Sequence, residues 1–93
     1  MRRIEPTRAF RRDFKREKRS GRFSNLDSLL GEDVSLLADD KPLSEKNRDH
    51  SLGGNWQDCR ECHLKPDLLL IYRKADANVL QLIRMGPHSE LFD

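Results

Sequence analysis

Leu68-Leu69-Leu70-Ile71-Tyr72 is a continuous apolar run in a chain whose residues are 37% charged, and it restricts the fold more than any other segment. Five consecutive apolar residues cannot alternate between core and solvent, so they suit a strand covered on both faces or nearly so. Such a strand belongs in the centre of a sheet. Before it, Leu64-Lys65-Pro66-Asp67 supplies proline-aspartate turn chemistry; after it, Ala75-Asp76-Ala77-Asn78 separates it from a second apolar segment, Val79–Met85. With a first strand over residues 56–63, these segments predict a three-stranded antiparallel meander. A sheet this small is marginal alone and needs helices on its apolar face.

Two helical patterns precede it. From Arg8 to Arg19 the residues are mostly charged, with Phe10 and Phe14 four apart, which gives a narrow packing face on a basic helix. A short strand over residues 2–5 is expected before this helix, and Gly21 is its stop signal. Leu26, Leu29, Leu30, Val34 and Leu37 then recur at spacings of three and four. Gly31 interrupts them at a cost of about 1 kcal/mol relative to alanine, a break at which this second helix is able to divide. Pro42 closes the region, and Leu43–Asn55 reads as a polar connector with a turn at Gly53-Gly54. The expected fold is one small α+β domain over residues 1–93 with a thin core: two N-terminal helices on a small twisted antiparallel sheet.

The formal charge of +2 conceals an asymmetry: residues 1–23 carry a net +7 and the remainder a net −5. A basic segment of this density suits a polyanion, since neutralising phosphates releases counterions, and it equally suits a solvated helix surface. No signal-peptide pattern is present and no apolar run approaches the ~20 residues of a membrane span, so the chain reads as cytoplasmic with no membrane partner. Its two cysteines are then expected to stay reduced. Cys59 and Cys62 form a C-x-x-C pair, but inside a strand residues three apart point to opposite faces, so their sulfurs diverge. Packing is the expected role for one of them and incidental exposure for the other, with no metal site and no cofactor.

All three histidines, His50, His63 and His88, fall near the ends of elements of the sheet half, and histidine is the side chain best matched to proton transfer near neutral pH. Asp67 has turn capping as its ordinary role. Arg60, Lys65 and Arg84 are cations on or beside the same strands, and Trp56 and Phe92 are suited to core packing or to base stacking.

Taken in order, these residues resemble a known family. The run from Asp49, His50, Leu52, Gly54 and Trp56 through Arg60, Glu61 and His63 to Pro66, Asp67, Leu70, Ile71 and Tyr72, closed by Gly86, His88, Leu91 and Phe92, is similar to the YafQ branch of the RelE/ParE superfamily of type II toxin–antitoxin toxins. Cys59 stands where the family has an aromatic residue, and Pro87 where it has a hydroxyl residue. The resemblance implies a RelE-like α+β endoribonuclease that cuts mRNA on the 70S ribosome. Its partner would be a cognate antitoxin, with operator DNA reached only through the antitoxin complex. It implies His50, His63, Asp67 and His88 as the catalytic set, with Arg60, Glu61, Lys65, Arg84 and Phe92 contacting substrate. A metal-free route would use the RNA 2′-hydroxyl as internal nucleophile, with His88 as general acid and His50, His63 and Asp67 sharing base and orienting duties. Two other functions fit parts of the sequence: gyrase inhibition, as in the ParE branch, whose members lack the histidine set, and RNA binding by residues 8–22 without cleavage.

Overall fold

In the computed structural model, which describes residues 1–92, Leu68, Leu69, Leu70, Ile71 and Tyr72 are each no more than 1% exposed. They lie in β4 (Leu68–Asp76), which pairs antiparallel with β3 (Arg60–Lys65) on one side and β5 (Val79–Gly86) on the other. The turn between β3 and β4 is Pro66-Asp67, as the proline-aspartate signal predicts. Ala77-Asn78 joins β4 to β5, closed by the Asp76 carboxylate accepting the Asn78 backbone N–H at 2.7 Å.

The sheet has five strands in the order β1-β5-β4-β3-β2, and it is mixed rather than wholly antiparallel. The short N-terminal strand is present as β1 (Arg3–Pro6), parallel to β5. Its direction is set where it begins: the Arg3 N–H bonds the Asn78 carbonyl at the β4–β5 turn, so β1 starts level with β5 and runs alongside it. The other addition is β2 (His50–Ser51), two residues inside the polar connector that pair antiparallel with β3. The first meander strand, expected over residues 56–63, begins only at Arg60. A 3₁₀ turn at Gly54–Trp56 and a left-handed Asp58 (φ 72°) keep the preceding residues out of the ladder.

Helix α1 (Arg8–Ser20) opens on Thr7, whose hydroxyl oxygen accepts the Phe10 N–H at 3.0 Å and donates to the Ile83 carbonyl at 2.7 Å. It ends on Gly21 at φ 73°, a left-handed cap that glycine adopts without a Cβ clash. Helix α2 (Leu26–Ala38) is continuous through Gly31, so the glycine does not divide it. Burial of Leu26, Val34, Leu37 and Ala38 outweighs the roughly 1 kcal/mol propensity cost of one exposed glycine.

Both helices pack on one face of the sheet. Phe10, Leu26, Val34, Leu37 and Ala38 meet Cys62, Leu64, Leu68, Leu70, Tyr72, Leu80, Leu82 and Met85 in the main core. The alternation of β4 sends Leu69 and Ile71 to the opposite face, where no helix of that pair covers them. Leu52, Trp56 and Cys59 of the β2–β3 connection, with Ile83, Leu91 and Phe92, do so instead.

One buried charge joins α1 to β5. β1 pairs with β5 only as far as Pro6 opposite Leu82, which leaves the end of that edge without a strand. Asp13 of α1, 0% exposed, takes its place: its carboxylate accepts the Met85 N–H at 3.1 Å, Arg84 Nε at 2.6 Å, Arg84 Nη2 at 3.1 Å and Arg16 Nη1 at 2.9 Å. Burial alone would raise its pKa, but the Arg84 and Met85 hydrogen bonds and the charges of Arg84 and Arg16 outweigh burial and hold it below the ordinary carboxylate value. The unfolded chain therefore binds the proton more readily. The stability Asp13 contributes is complete above the unfolded carboxylate pKa and is lost as pH falls through the depressed folded one. Asp13→Asn, which leaves two guanidinium groups short of their counter-charge, is expected to lower unfolding free energy at pH 7 by about 3 kcal/mol. Urea titrations should show the gap between the two proteins closing as pH falls below the carboxylate range; a gap constant with pH would contradict this account.

Candidate active site

The candidate residues are assembled first by strand register. His50 lies opposite Glu61 and Glu61 opposite Ile71; two residues further along β3, His63 lies opposite Leu69, which in turn lies opposite Gly86. Residues directly opposed in a ladder point to the same side, so His50, Glu61 and His63 share the face of Leu69 and Ile71, away from α1 and α2. There the Nε2 atoms of His50 and His63 stand 3.6 and 3.3 Å from the same oxygen, Oε1 of Glu61, a residue 5% exposed.

The neutral His50 ring has a defined tautomer. Its Nδ1 is 2.6 Å from the Arg48 carbonyl oxygen, which can only accept, so Nδ1 carries the proton and the lone pair lies on Nε2. Arg48 sits in the left-handed region (φ 49°) just ahead of β2. The next residue, Asp49, is tied down from the other face: its Oδ1 accepts the Tyr72 hydroxyl at 2.5 Å and Arg60 Nε at 3.2 Å. Burial, followed by donation to Asp49, pushes the Tyr72 pKa up and keeps its hydroxyl a donor.

The other half of the site follows β5. Two interstrand steps separate His63 from Gly86, roughly 10 Å, and two residues past Gly86 the chain enters α3 (His88–Leu91). Pro87 occupies the cap position with no side-chain hydrogen bond to offer. Leu91 is buried against Leu69 and Ile71, while the exposed His88 ring lies 5.0 Å from the Phe92 ring, which meets Trp56 edge-on at 6.2 Å. Asn55, Trp56, Leu91 and Phe92 line an open cleft of about 560 Å³.

The remaining candidates are exposed or already paired. Asp67 is exposed in the β3–β4 turn, and the carboxylate within 4 Å of both Nε2 atoms is that of Glu61. Arg84 is bonded to Asp13, and Arg60 to Asp49 and the Tyr72 hydroxyl. Lys65 is exposed at a cleft of about 420 Å³ between α2 and β3, which His63 also lines. Cys62 is 0% exposed in the helix-side core and Cys59 packs on the other face, so the thiols diverge as the strand pattern predicts. Burial raises both thiol pKa values. Among the described residues no three His, Cys, Asp or Glu side chains are arranged to hold a metal ion, Glu61 and its two histidines included. What sequence reading missed is the role of Glu61 as a shared neighbour of two histidines. Its only signal was the alternation that puts residues 61 and 63 on one face.

Comparison with known proteins bears on the family and the fold. The family described as bacterial toxin of type II toxin-antitoxin system, YafQ, matches residues 2–93. The mRNA interferase toxin YafQ of Escherichia coli BL21-DE3 is 34% identical over 90 residues, 96% of this chain and 94% of that one. A shorter match to the K12 protein of the same name, 39% identical over 57 residues, spans 61% of each chain. Among solved structures, a metal-bound toxin from Helicobacter pylori superposes with a TM-score of 0.88 at 47% identity, covering 99% of this chain and 100% of that one. The toxin of the E. coli DinJ-YafQ toxin-antitoxin complex does so at 0.84 and 32%, covering 99% and 98%. With the family match running the length of the chain, this protein belongs to the YafQ family of bacterial type II toxin–antitoxin toxins.

Proposed function

We propose that this chain is an endoribonuclease that cuts mRNA on translating ribosomes, in the cytoplasm, by metal-independent attack of the RNA 2′-hydroxyl on the adjacent phosphate, and that a cognate antitoxin inhibits it. Family membership and the names of its relatives support the class of activity; the DinJ-YafQ complex supports the partner. Operator DNA would be reached only through that complex.

The observation that carries the mechanism is the fixed tautomer of His50. With Nδ1 donating to the Arg48 carbonyl, Nε2 is free to take the 2′-hydroxyl proton, and the Glu61 carboxylate is placed to accept a hydrogen bond from the imidazolium that results. His63 shares the same carboxylate oxygen and is positioned as a second donor to the phosphorane. His88, at the far end of the same face, returns a proton to the 5′-leaving oxygen. Asp67, exposed in the β3–β4 turn four residues past His63, would share the base and orienting duties. Phe92 backs the His88 ring, which orients either that ring or the substrate. Of the cations expected at the phosphate, Arg60 and Arg84 are held by carboxylates, which leaves Lys65 the more available charge.

Helix α1 supplies a separate grip. Arg16, Lys18 and Arg22 spend their charges on Asp13, Glu17 and Asp27. Arg8, Arg11, Arg12, Lys15 and Arg19 are exposed and pair with no carboxylate among the described residues. Spaced three and four apart, they make one cationic stripe suited to an RNA backbone.

Single replacement of His50, His63 or His88 by alanine is expected to lower cleavage of ribosome-bound mRNA by roughly 10²–10⁴-fold and to abolish growth arrest. Products should end in 2′,3′-cyclic phosphate and form undiminished in the presence of a chelator. Full activity in all three variants, or a strict need for a divalent ion, would remove this mechanism. Replacing Arg8, Arg11 and Lys15 together by glutamine should instead weaken ribosome binding and flatten its salt dependence, by on the order of two units in the slope of log K against log salt. An unchanged slope would take the stripe out of the RNA contact.

A further inference from the structure

We infer that Arg16 is a positioning residue for His88, holding the β5–α3 junction in the orientation that presents the imidazole to the site. This rests on the general-acid role proposed for His88. By sequence Arg16 is one more cation in a basic helix, but its half-buried side chain reaches across to β5 and each end of its guanidinium is used. Nε donates to Glu17 Oε2 at 3.1 Å, Nη1 to Asp13 Oδ1 at 2.9 Å, and Nη2 to the Met85 carbonyl at 3.1 Å. Nη1 also lies 4.0 Å from Glu90 Oε2, on α3 itself. One planar group thus spans α1, the last turn of β5 and the helix that carries His88.

Gly86 is the second half of the device. A Cβ built on it would come within 2.6 Å of Arg16 Nη2, so the absence of a side chain there makes the space the guanidinium fills. Between that contact and His88 stands one residue, Pro87, whose backbone is fixed near φ −72° by its ring. α3 is four residues long and has no side-chain cap, so little of its orientation comes from its own hydrogen bonds. The buried Leu91 on one side and Arg16 on the other determine it. Asp13 and Glu17, 0% and 2% exposed, fix the guanidinium in turn.

The test uses the full chain and its Arg16→Gln, Arg16→Lys, Gly86→Ala and Glu90→Gln variants, measured by cleavage on programmed ribosomes and by ¹H–¹³C spectra of the histidine rings. Arg16→Gln should lower kcat by up to about 10²-fold, the scale of loss for a misplaced catalytic group, with KM little changed. The His88 resonances, shifted by the Phe92 ring beneath them, should move while those of His50 and His63 stay. Arg16→Lys should fail to rescue, because one ammonium cannot serve three acceptors in a plane. Gly86→Ala, which keeps every charge but also strains a backbone at φ 157°, should reproduce both effects; Glu90→Gln, which removes only the α3 contact of Arg16, should move the His88 resonances alone, and it carries the reading should Arg16→Gln not fold. A rise in KM with kcat intact would make Arg16 a phosphate contact and overturn the inference, as would unmoved His88 resonances in a folded variant. Absence of cleavage by the parent protein would count against the proposed function instead, and the spectra, which need no activity, would still decide the role of Arg16.

Discussion

A carboxylate with no solvent contact, Asp13, holds this fold together at the point where its sheet runs out of strands. β1 stops at Pro6, and α1 then supplies from side chains what a longer strand would have supplied from its backbone: Thr7 for the Ile83 carbonyl, Asp13 for the Met85 N–H, Arg16 for the Met85 carbonyl. Closing an edge this way serves two ends. It hides polar groups that would otherwise invite pairing with another chain, and it fixes the angle between a helix and the strand that leads to His88. An apolar side chain of similar volume in place of Asp13 would fill the same space, yet it would leave the Met85 N–H and the Arg84 guanidinium without the acceptors they use and would remove one of the three that Arg16 uses.

β4 divides the molecule into a side closed by two helices and a side that carries the candidate site. Toward α1 and α2, Leu68, Leu70 and Tyr72 enter a core closed by two helices. Toward the other side, Leu69 and Ile71 are covered by a connection, a four-residue helix and two aromatic rings. That thinner cover is what leaves room for His50, Glu61, His63 and His88 around an exposed surface. The sides are not independent. Tyr72, on the helix side, reaches Asp49 and so steadies His50 on the other; Asp13 and Arg16 do the same for α3.

The sequence made β4, β5 and both long helices legible because their signals are local: an unbroken apolar run, a proline-aspartate turn, leucines at helical spacing, a glycine stop. It left β2 unread, since two residues inside a polar connector show no period and are strand only because β3 offers them an edge. It left a split at Gly31 open because propensity acts on the helix alone, whereas the sheet beneath holds that helix whole. His50, His63 and His88 could be picked out by residue type and by resemblance, but of the elements that carry them only β3 was foreseen, neither β2 nor α3. The pairing of Asp13 with Arg84, 71 residues apart, could not be read, nor could Arg16 be told from the solvated cations around it. Charge pattern along a helix gives a face, but which cations turn inward depends on carboxylates and carbonyls brought from elsewhere in the chain.

The two ends of the candidate site therefore rest on different supports, and the difference matches the roles proposed for them. His50 has the tautomer of its neutral ring set by a backbone carbonyl and its strand pinned by Asp49. His88 has no hydrogen-bond partner of that kind among the described residues; its ring rests on Phe92 and its helix is held from below by Leu91 and Arg16. A group that accepts a proton at the start of a reaction gains from a fixed lone pair. One that gives a proton to a leaving oxygen, whose position is set by the substrate backbone, gains from a fixed location with freedom at the ring, and a short helix with an uncapped first turn on a rigid mount provides that.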